Sequence, residues 1–210
     1  MPFFRNIDIE DGIIGVWKLT ETPTELQALI KLSDSDWEAL QKIKAEQRQA
    51  EFLATRLLLK KLISKPVTIE YSSSGKPFIP GSFQKLSISH SADFACVFIS
   101  MKTIGIDIEQ AERQIDRVVG RFLHPEEKEH ISTLNNQQFA KILYWSAKEA
   151  IFKSSERQGI SFKDQIRIEP FNPETVKNFT SRLIFPEKTF HYQLSFESFE
   201  NNVMVYCVQQ

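Results

Sequence analysis

The 210-residue sequence holds two cysteines, Cys96 and Cys207, and no Cys-x-x-Cys pair. Both sit in apolar runs, "FACVFIS" and "VMVYCVQQ", so the expectation is two buried thiols in a reducing compartment. His124 and His130 show no zinc spacing, and the cysteines lie too far away in sequence to complete one. No uninterrupted apolar run is long enough to cross a bilayer, and the start "MPFFRNIDIEDG" lacks a basic stretch followed by an apolar one. A cytoplasmic protein without a membrane partner is therefore expected. Neither sign of charge is in excess, with 26 Lys and Arg against 27 Asp and Glu, a net charge of −1. Nothing global draws this chain to nucleic acid, so any basic site must be local. The fingerprints GxGxxG, GxxxxGK[ST] and GxSxG are all absent, which sets aside Rossmann dehydrogenases, P-loop NTPases and esterases with a nucleophile elbow.

What is present is an ordinary globular composition, 41% hydrophobic and 25% charged, with no low-complexity segment. The length suits one large domain or two small ones. "GIIGVWKLT" (12–20) reads as a first strand. Residues 33–63 read as one long helical region, with Ser33 or Ser35 as its cap. "SSSGKPFIPGS" is a turn-rich loop. It leads to three strands, "KLSIS" (85–89), "FACVFIS" (94–100) and "TIGIDIE" (103–109). "HPEEKEHIST" (124–133) opens a helix with Pro in its first turn. "QQFAKILYWSAKEAIFKSSER" (137–157) is a second strong helix, whose stripe runs through Phe139, Ile142, Leu143, Ala147, Ala150 and Ile151, with Lys148 opposite it. "IRIEP", "RLIF", "TFHYQLSFES" and "VMVYCVQQ" supply later strands, the last three compatible with antiparallel pairing. The order predicts an α+β fold of two comparable halves, 1–101 and 102–210, without a residue-level repeat.

The tetrapeptide Ile-Asp-Ile-Glu occurs at 7–10 and again at 106–109. In extended chain, each copy puts both acids on one face and both isoleucines on the other. In "GIDIE", Gly105 permits close approach of another backbone, and Asp107 with Glu109 forms an oxygen platform suited to Mg²⁺. A half-exposed strand with solvated acids accounts for the same letters. Glu149 and Lys153, in "WSAKEAIFK", are four apart on a helix. They fit a surface ion pair worth about 0.3–0.5 kcal/mol. They equally fit a site in which the carboxylate completes a metal sphere and the ammonium neutralises a phosphate oxygen, because both border the apolar stripe, one turn after Trp145. Ser89, His90 and Ser91 end one strand and begin a turn, where hydroxyls and an imidazole suit phosphate; adjacent residues point apart, which makes them a poor nucleophile–base pair. "SGKP" (74–77) offers turn amides and one lysine. Lys42, Lys44, Arg48 and Arg56 are expected on the solvated face of the first long helix.

In this order, "SGKPFIP", "LSISHSADFACVF", "IGIDIEQAER", "FLHPEE" and "LYWSAKEAIFK" resemble the 4′-phosphopantetheinyl transferase family, specifically its monomeric two-half kind that serves surfactin synthesis. The match spans about residues 70–155, and "EFLATRLLLKKL" is more loosely similar to the family's upstream helix. The resemblance implies two α+β halves related by a pseudo-twofold, with coenzyme A in the cleft between them. It implies transfer of the phosphopantetheine arm of coenzyme A to a serine of an apo acyl- or peptidyl-carrier protein, releasing 3′,5′-ADP. On the matching positions, Asp107, Glu109 and Glu149 are the implied Mg²⁺ ligands, and Lys153 the implied contact of the pyrophosphate. Ser89 and His90 would grip a coenzyme A phosphate, and Gly75, Lys76 and Pro77 would line the adenosine and its 3′-phosphate. Glu149 is the preferred base, with a base role for Glu109 left open. One departure stands out: where the family carries coenzyme A-binding lysines, this chain reads "SDSDWE".

Two other readings compete. A Mg²⁺-dependent nuclease or phosphohydrolase could use the same three acids, but the D…ExK pattern needs a lysine where Ala111 stands. A coenzyme A or carrier-protein binding module without catalysis would not need Asp107, Glu149 and Lys153 together. Arg113, Arg117, Arg121 and Lys128 are a possible docking rim for an acidic carrier, or solvated surface. The copy at 7–10 has no phosphate-binding residues in register and is expected to be an N-terminal extension or edge segment.

Overall fold

The computed structural model describes residues 3–63 and 67–210. The chain divides into two compact units, Met1–Met101 and Lys102–Gln210.

The first unit contains β1 (Phe3–Ile9), β2 (Gly12–Lys18), α1 (Pro23–Ala28), α2 (Asp34–Gln41), α3 (Glu46–Leu62), β3 (Glu70–Tyr71), β4 (Pro77–Phe78), β5 (Lys85–His90) and β6 (Phe94–Ser100). Its antiparallel sheet runs β1-β2-β6-β5-β4-β3. Leu53, Leu58 and Leu59 of α3 are buried with Val97 and Ile99 of β6, so one apolar helix face covers the sheet. The first copy of the repeated tetrapeptide lies on β1, an edge strand, with Asp8 exposed.

The expected single helix over 33–63 is two helices. Ser33 caps α2 by accepting from Asp36 N–H at 3.2 Å. The chain then breaks at Lys42–Ala45, where Gln49 Nε2 donates to the Ile43 carbonyl at 2.7 Å. No Gly or Pro announces this break; a tertiary pair does. Arg56 Nε donates to Asp36 Oδ1 at 2.8 Å with both residues buried, which folds α2 back on α3. Helix α1 has a legible signal that the sequence reading passed over, Thr22-Pro23-Thr24-Glu25. Thr22 and Glu25 form a reciprocal capping box, with Pro in the first turn.

The second unit contains β7 (Ile104–Gln110), α4 (Val119–Phe122), α5 (Pro125–Ser132), α6 (Gln137–Ser154), β8 (Ile166–Ile168), β9 (Asn178–Ile184), β10 (Thr189–Phe199) and β11 (Asn202–Gln209). Its sheet runs β7-β11-β10-β9-β8, every pair antiparallel. Helix α6 packs across β7 and β11, burying Leu143, Ala147, Ala150 and Ile151. The ring of Phe171 stacks on Phe179 at 4.0 Å and on Tyr144 at 5.7 Å, extending this core towards β9. Cys96 and Cys207 are buried thiols in the strands β6 and β11. Among the described residues no helix is long and apolar enough to cross a membrane.

Lys148 corrects an expectation. Placed opposite the apolar stripe by sequence, it is fully buried, because the last turn of α4, the helix α5 and the 162–166 segment close over that side of α6. Its ammonium donates to the carbonyls of Phe122 (2.8 Å), Phe162 (2.9 Å) and Ile166 (2.8 Å) and to Glu127 Oε2 (2.7 Å). Glu127 in turn accepts from the backbone N–H groups of His124 (2.8 Å) and Ile168 (2.9 Å). Burial lowers the Lys148 pKa to about 8, against the pull of Glu127. The satisfied pair anchors α6 to its surroundings.

Candidate active site

In the second unit the site is made by one missing side chain. An added Cβ at Gly105 would meet the Ala150 carbonyl oxygen at 1.8 Å, so only glycine lets the α6 backbone rest on β7. Strand alternation puts Asp107 and Glu109 on the same face as Gly105, beneath the helix. Ile106 and Ile108 take the other face and are 0% and 1% exposed. Asp107 is itself only 5% exposed. This close approach brings the acids of β7 to the acids and lysine of α6.

Lys153 Nζ lies 2.7 Å from Asp107 Oδ1. Lys153 thus makes a cross-element pair with the strand acid, and its charge also acts on Glu149. Trp145 Nε1 donates to Glu109 Oε1 at 2.7 Å, and the Arg113 guanidinium donates to the same oxygen. The indole is wedged between Phe122 (5.1 Å) and Phe162 (5.9 Å), so it is a fixed donor. By sequence Arg113 suits a docking rim or solvated surface alike. No signal in the sequence connects it with Glu109 except its i,i+4 spacing beyond the strand end.

The three carboxylates feel one another. Burial, then the charge of Asp107, raises the Glu109 pKa, against hydrogen bonds from Arg113 and Trp145. Glu149 is pushed up to about 7, first by burial, then by Asp107, with Lys153 pulling it down and Glu109 adding to the rise. Near neutrality Glu149 is therefore poised between its acid and base forms. Among the described residues no group of three His, Cys, Asp or Glu side chains converges tightly enough to hold a metal ion. The donor set nonetheless fits Mg²⁺: hard carboxylate oxygens, partly desolvated, whose mutual repulsion a divalent cation would relieve. Two of the three are neutralised by the chain's own cations, Lys153 and Arg113.

In the first unit, His90 ends β5 and Ser91 begins the turn, closing it with an N–H to the Phe94 carbonyl at 2.8 Å. Ser89 is buried, and the His90 ring is 36% exposed. Arg48, on α3, places Nη1 2.7 Å from His90 Nε2 and 3.0 Å from Glu51 Oε2. Glu51 lies 3.4 Å from His90 Nδ1 and is buried, a partner the sequence reading did not name. Of the basic residues expected on a solvated helix face, Arg48 therefore reaches the histidine. Arg56 is instead sunk against Asp36, with its guanidinium 3.3 Å over the Phe52 ring. Lys42 and Lys44 occupy the break between α2 and α3.

Two of the turn amides of "SGKP" are engaged locally. Gly75, with φ 81°, donates to the Ser72 carbonyl at 2.8 Å, and Lys76 N–H donates to Ser72 Oγ at 3.1 Å. Those amides close the hairpin between β3 and β4. The Lys76 side chain and Pro77, half-buried beside the exposed Gly75, are what this turn presents.

The family model described as the 4′-phosphopantetheinyl transferase superfamily matches residues 103–207, half of the chain. Among solved structures the chain is similar to the holo-[acyl-carrier-protein] synthase of Thermotoga maritima, at 21% identity and a TM-score of 0.36, over 51% of this chain and 62% of that one. No curated protein matches the chain.

Proposed function

The chain belongs to the 4′-phosphopantetheinyl transferase superfamily, and from that premise we propose that it transfers the 4′-phosphopantetheine arm of coenzyme A to a serine of an apo acyl- or peptidyl-carrier protein, releasing 3′,5′-ADP. The reaction is Mg²⁺-dependent, and the enzyme is of the monomeric two-half kind. The observation that carries the reading is the seating of α6 on Gly105, which gathers Asp107, Glu109, Glu149 and Lys153.

In this reading the serine oxygen attacks the pantetheine-bearing phosphorus of the pyrophosphate, and the bond to the adenosine-bearing phosphate breaks. Glu149 takes the serine proton; in the metal-free protein burial and the charge of Asp107 push its pKa up to about 7, which marks it as the most basic of the three acids. Lys153 offsets the charge that gathers on the departing 3′,5′-ADP. Its 29% exposed side chain leaves it open to a phosphate that would compete with Asp107. Asp107, Glu109 and Glu149 would hold Mg²⁺, which when bound supplies charge neutralisation for the pyrophosphate. In the first unit, Ser89, His90 and Lys76 would meet coenzyme A phosphates, with Gly75 and Pro77 beside the adenosine. Arg48, at the His90 ring, supplies basic charge in a region where the sequence otherwise offers "SDSDWE".

The test is to incubate the protein with apo carrier, coenzyme A and Mg²⁺ and then weigh the carrier. A gain of one phosphopantetheine arm, lost on chelation, is expected. A carrier of unchanged mass, across acyl and peptidyl types, would contradict the proposal.

A further inference from the structure

We propose that Arg113 is a displaceable counter-ion that competes with a divalent cation for Glu109. This rests on reading Asp107, Glu109 and Glu149 as metal ligands, and it concerns how this chain holds them before metal enters.

Two donors converge on Glu109 Oε1, and they differ in kind. Trp145 is locked among Phe122 and Phe162, so its N–H orients the carboxylate permanently. Arg113 follows the end of β7, and its backbone is held on both sides. Its N–H donates to the Gln110 carbonyl at 3.1 Å, and its own carbonyl accepts from Gln138 Nε2 at 3.1 Å. Its side chain is not enclosed. It is 48% exposed while that of Glu109 is 13% exposed, and the guanidinium carbon stands 5.7 Å from the Trp145 ring centre. The acid is sunk and fixed; the cation rests on the indole and can swing to solvent while its backbone stays in place.

A divalent cation at Glu109 faces repulsion from a guanidinium already bound there. The charge of Arg113 also reaches Glu149, so the competition extends over the platform. Trp145 then keeps Glu109 oriented after Arg113 has left. The sign of the effect separates this role from ordinary support. A residue that only positions Glu109 would help metal bind, whereas a competing counter-ion hinders it.

The experiment is titration of the full chain with Mn²⁺ alone, followed by electron paramagnetic resonance, without coenzyme A. Arg113→Gln should tighten Mn²⁺ binding about two- to fivefold, the range commanded by a half-exposed ion pair. Arg113→Lys, which keeps the charge, should stay near wild type, and so should Arg117→Gln, an exposed cation of the same segment. In a Glu109→Gln background the gain from Arg113→Gln should vanish. Weaker or unchanged binding in Arg113→Gln, or no Mn²⁺ bound by either protein, overturns the proposal. So does an equal gain in Arg117→Gln, which would reduce the effect to net charge. An unmodified carrier in the transfer assay, with the Arg113→Gln gain intact, would remove the transferase reading and leave the competition standing. A modified carrier with no gain would do the reverse.

Discussion

Ile-Asp-Ile-Glu stands in two places on edge strands of two sheets, and the copies share little beyond their letters. On β1, Ile7 and Ile9 are half-buried and Asp8 is exposed, as is Glu10 just beyond the strand. On β7, Ile106, Asp107 and Ile108 are buried, and Glu109 is nearly so. The residue before each copy explains much of the difference. Asn6 precedes the first and Gly105 the second, and the second alone has a helix backbone resting where a Cβ would stand. The chemistry open to a carboxylate depends on what is brought against it. For Asp107 and Glu109 that is α6, held down by Lys148.

Removing that hold should have the largest effect. Lys148→Met leaves Glu127 buried without its cation and should cost about 3–5 kcal/mol in chemical denaturation, the usual penalty for an unpaired buried charge. Lys153→Ala, five residues along the same helix but part-exposed, leaves the buried Asp107 without this cation and should cost less, about 1–3 kcal/mol, and lose transfer activity. Equal stability losses would show that burial does not divide the two lysines into anchor and site.

The comparison of the two acids themselves comes next. Asp107→Asn should reduce carrier modification by at least about 100-fold, the upper end of what loss of a mere supporting group costs a metal site. Asp8→Asn should leave the rate unchanged. Similar losses in both would make the copies equivalent after all. Gly105→Ala should then cost about 1–3 kcal/mol, because helix and strand must part to admit the methyl group. Asn6→Ala, on the uncovered copy, should be silent in the same denaturation experiment.

Much of this was legible in the sequence. The strands of residues 85–109, the helix with Pro in its first turn after His124 and the long helix from Gln137 all lie close to where their patterns place them. Gly105 was read as a point of close approach, and Ala150 is what approaches. Four features were not legible, three for a tertiary reason and one for a local one. The break after α2 depends on Asp36 and Arg56, twenty residues apart, forming a buried pair. Lys148 looks solvent-facing because periodicity sees one helix face, not the α4, α5 and 162–166 segments that close over the other. The Gly75 and Lys76 amides look free until Ser72, in the same turn, is seen to take both. The pairing of Arg113 and Trp145 with one oxygen of Glu109 likewise needs coordinates, since 36 residues separate the indole from the acid.

A smaller effect should appear in the pH dependence of stability. In metal-free protein, Glu149 titrates at about 7 when folded, above its ordinary 4.5. Its contribution is therefore fully present below about pH 4.5 and is lost as pH rises through about 7. In chelator, the wild-type melting temperature should fall more between pH 5 and pH 8 than that of Glu149→Gln. Parallel pH profiles would mean that the carboxyl is not held protonated by its surroundings.

Under the proposed function, the carboxylates gathered by α6 perform the transfer, with Glu149 as the base. The most direct test is the intact mass of an apo carrier protein after incubation with coenzyme A, Mg²⁺ and folded Glu149→Gln enzyme. The predicted result is a carrier left almost wholly unmodified, at a rate about 10²–10⁴-fold below wild type, as expected for loss of a catalytic base. A carrier that gains its phosphopantetheine arm at the wild-type rate would contradict it.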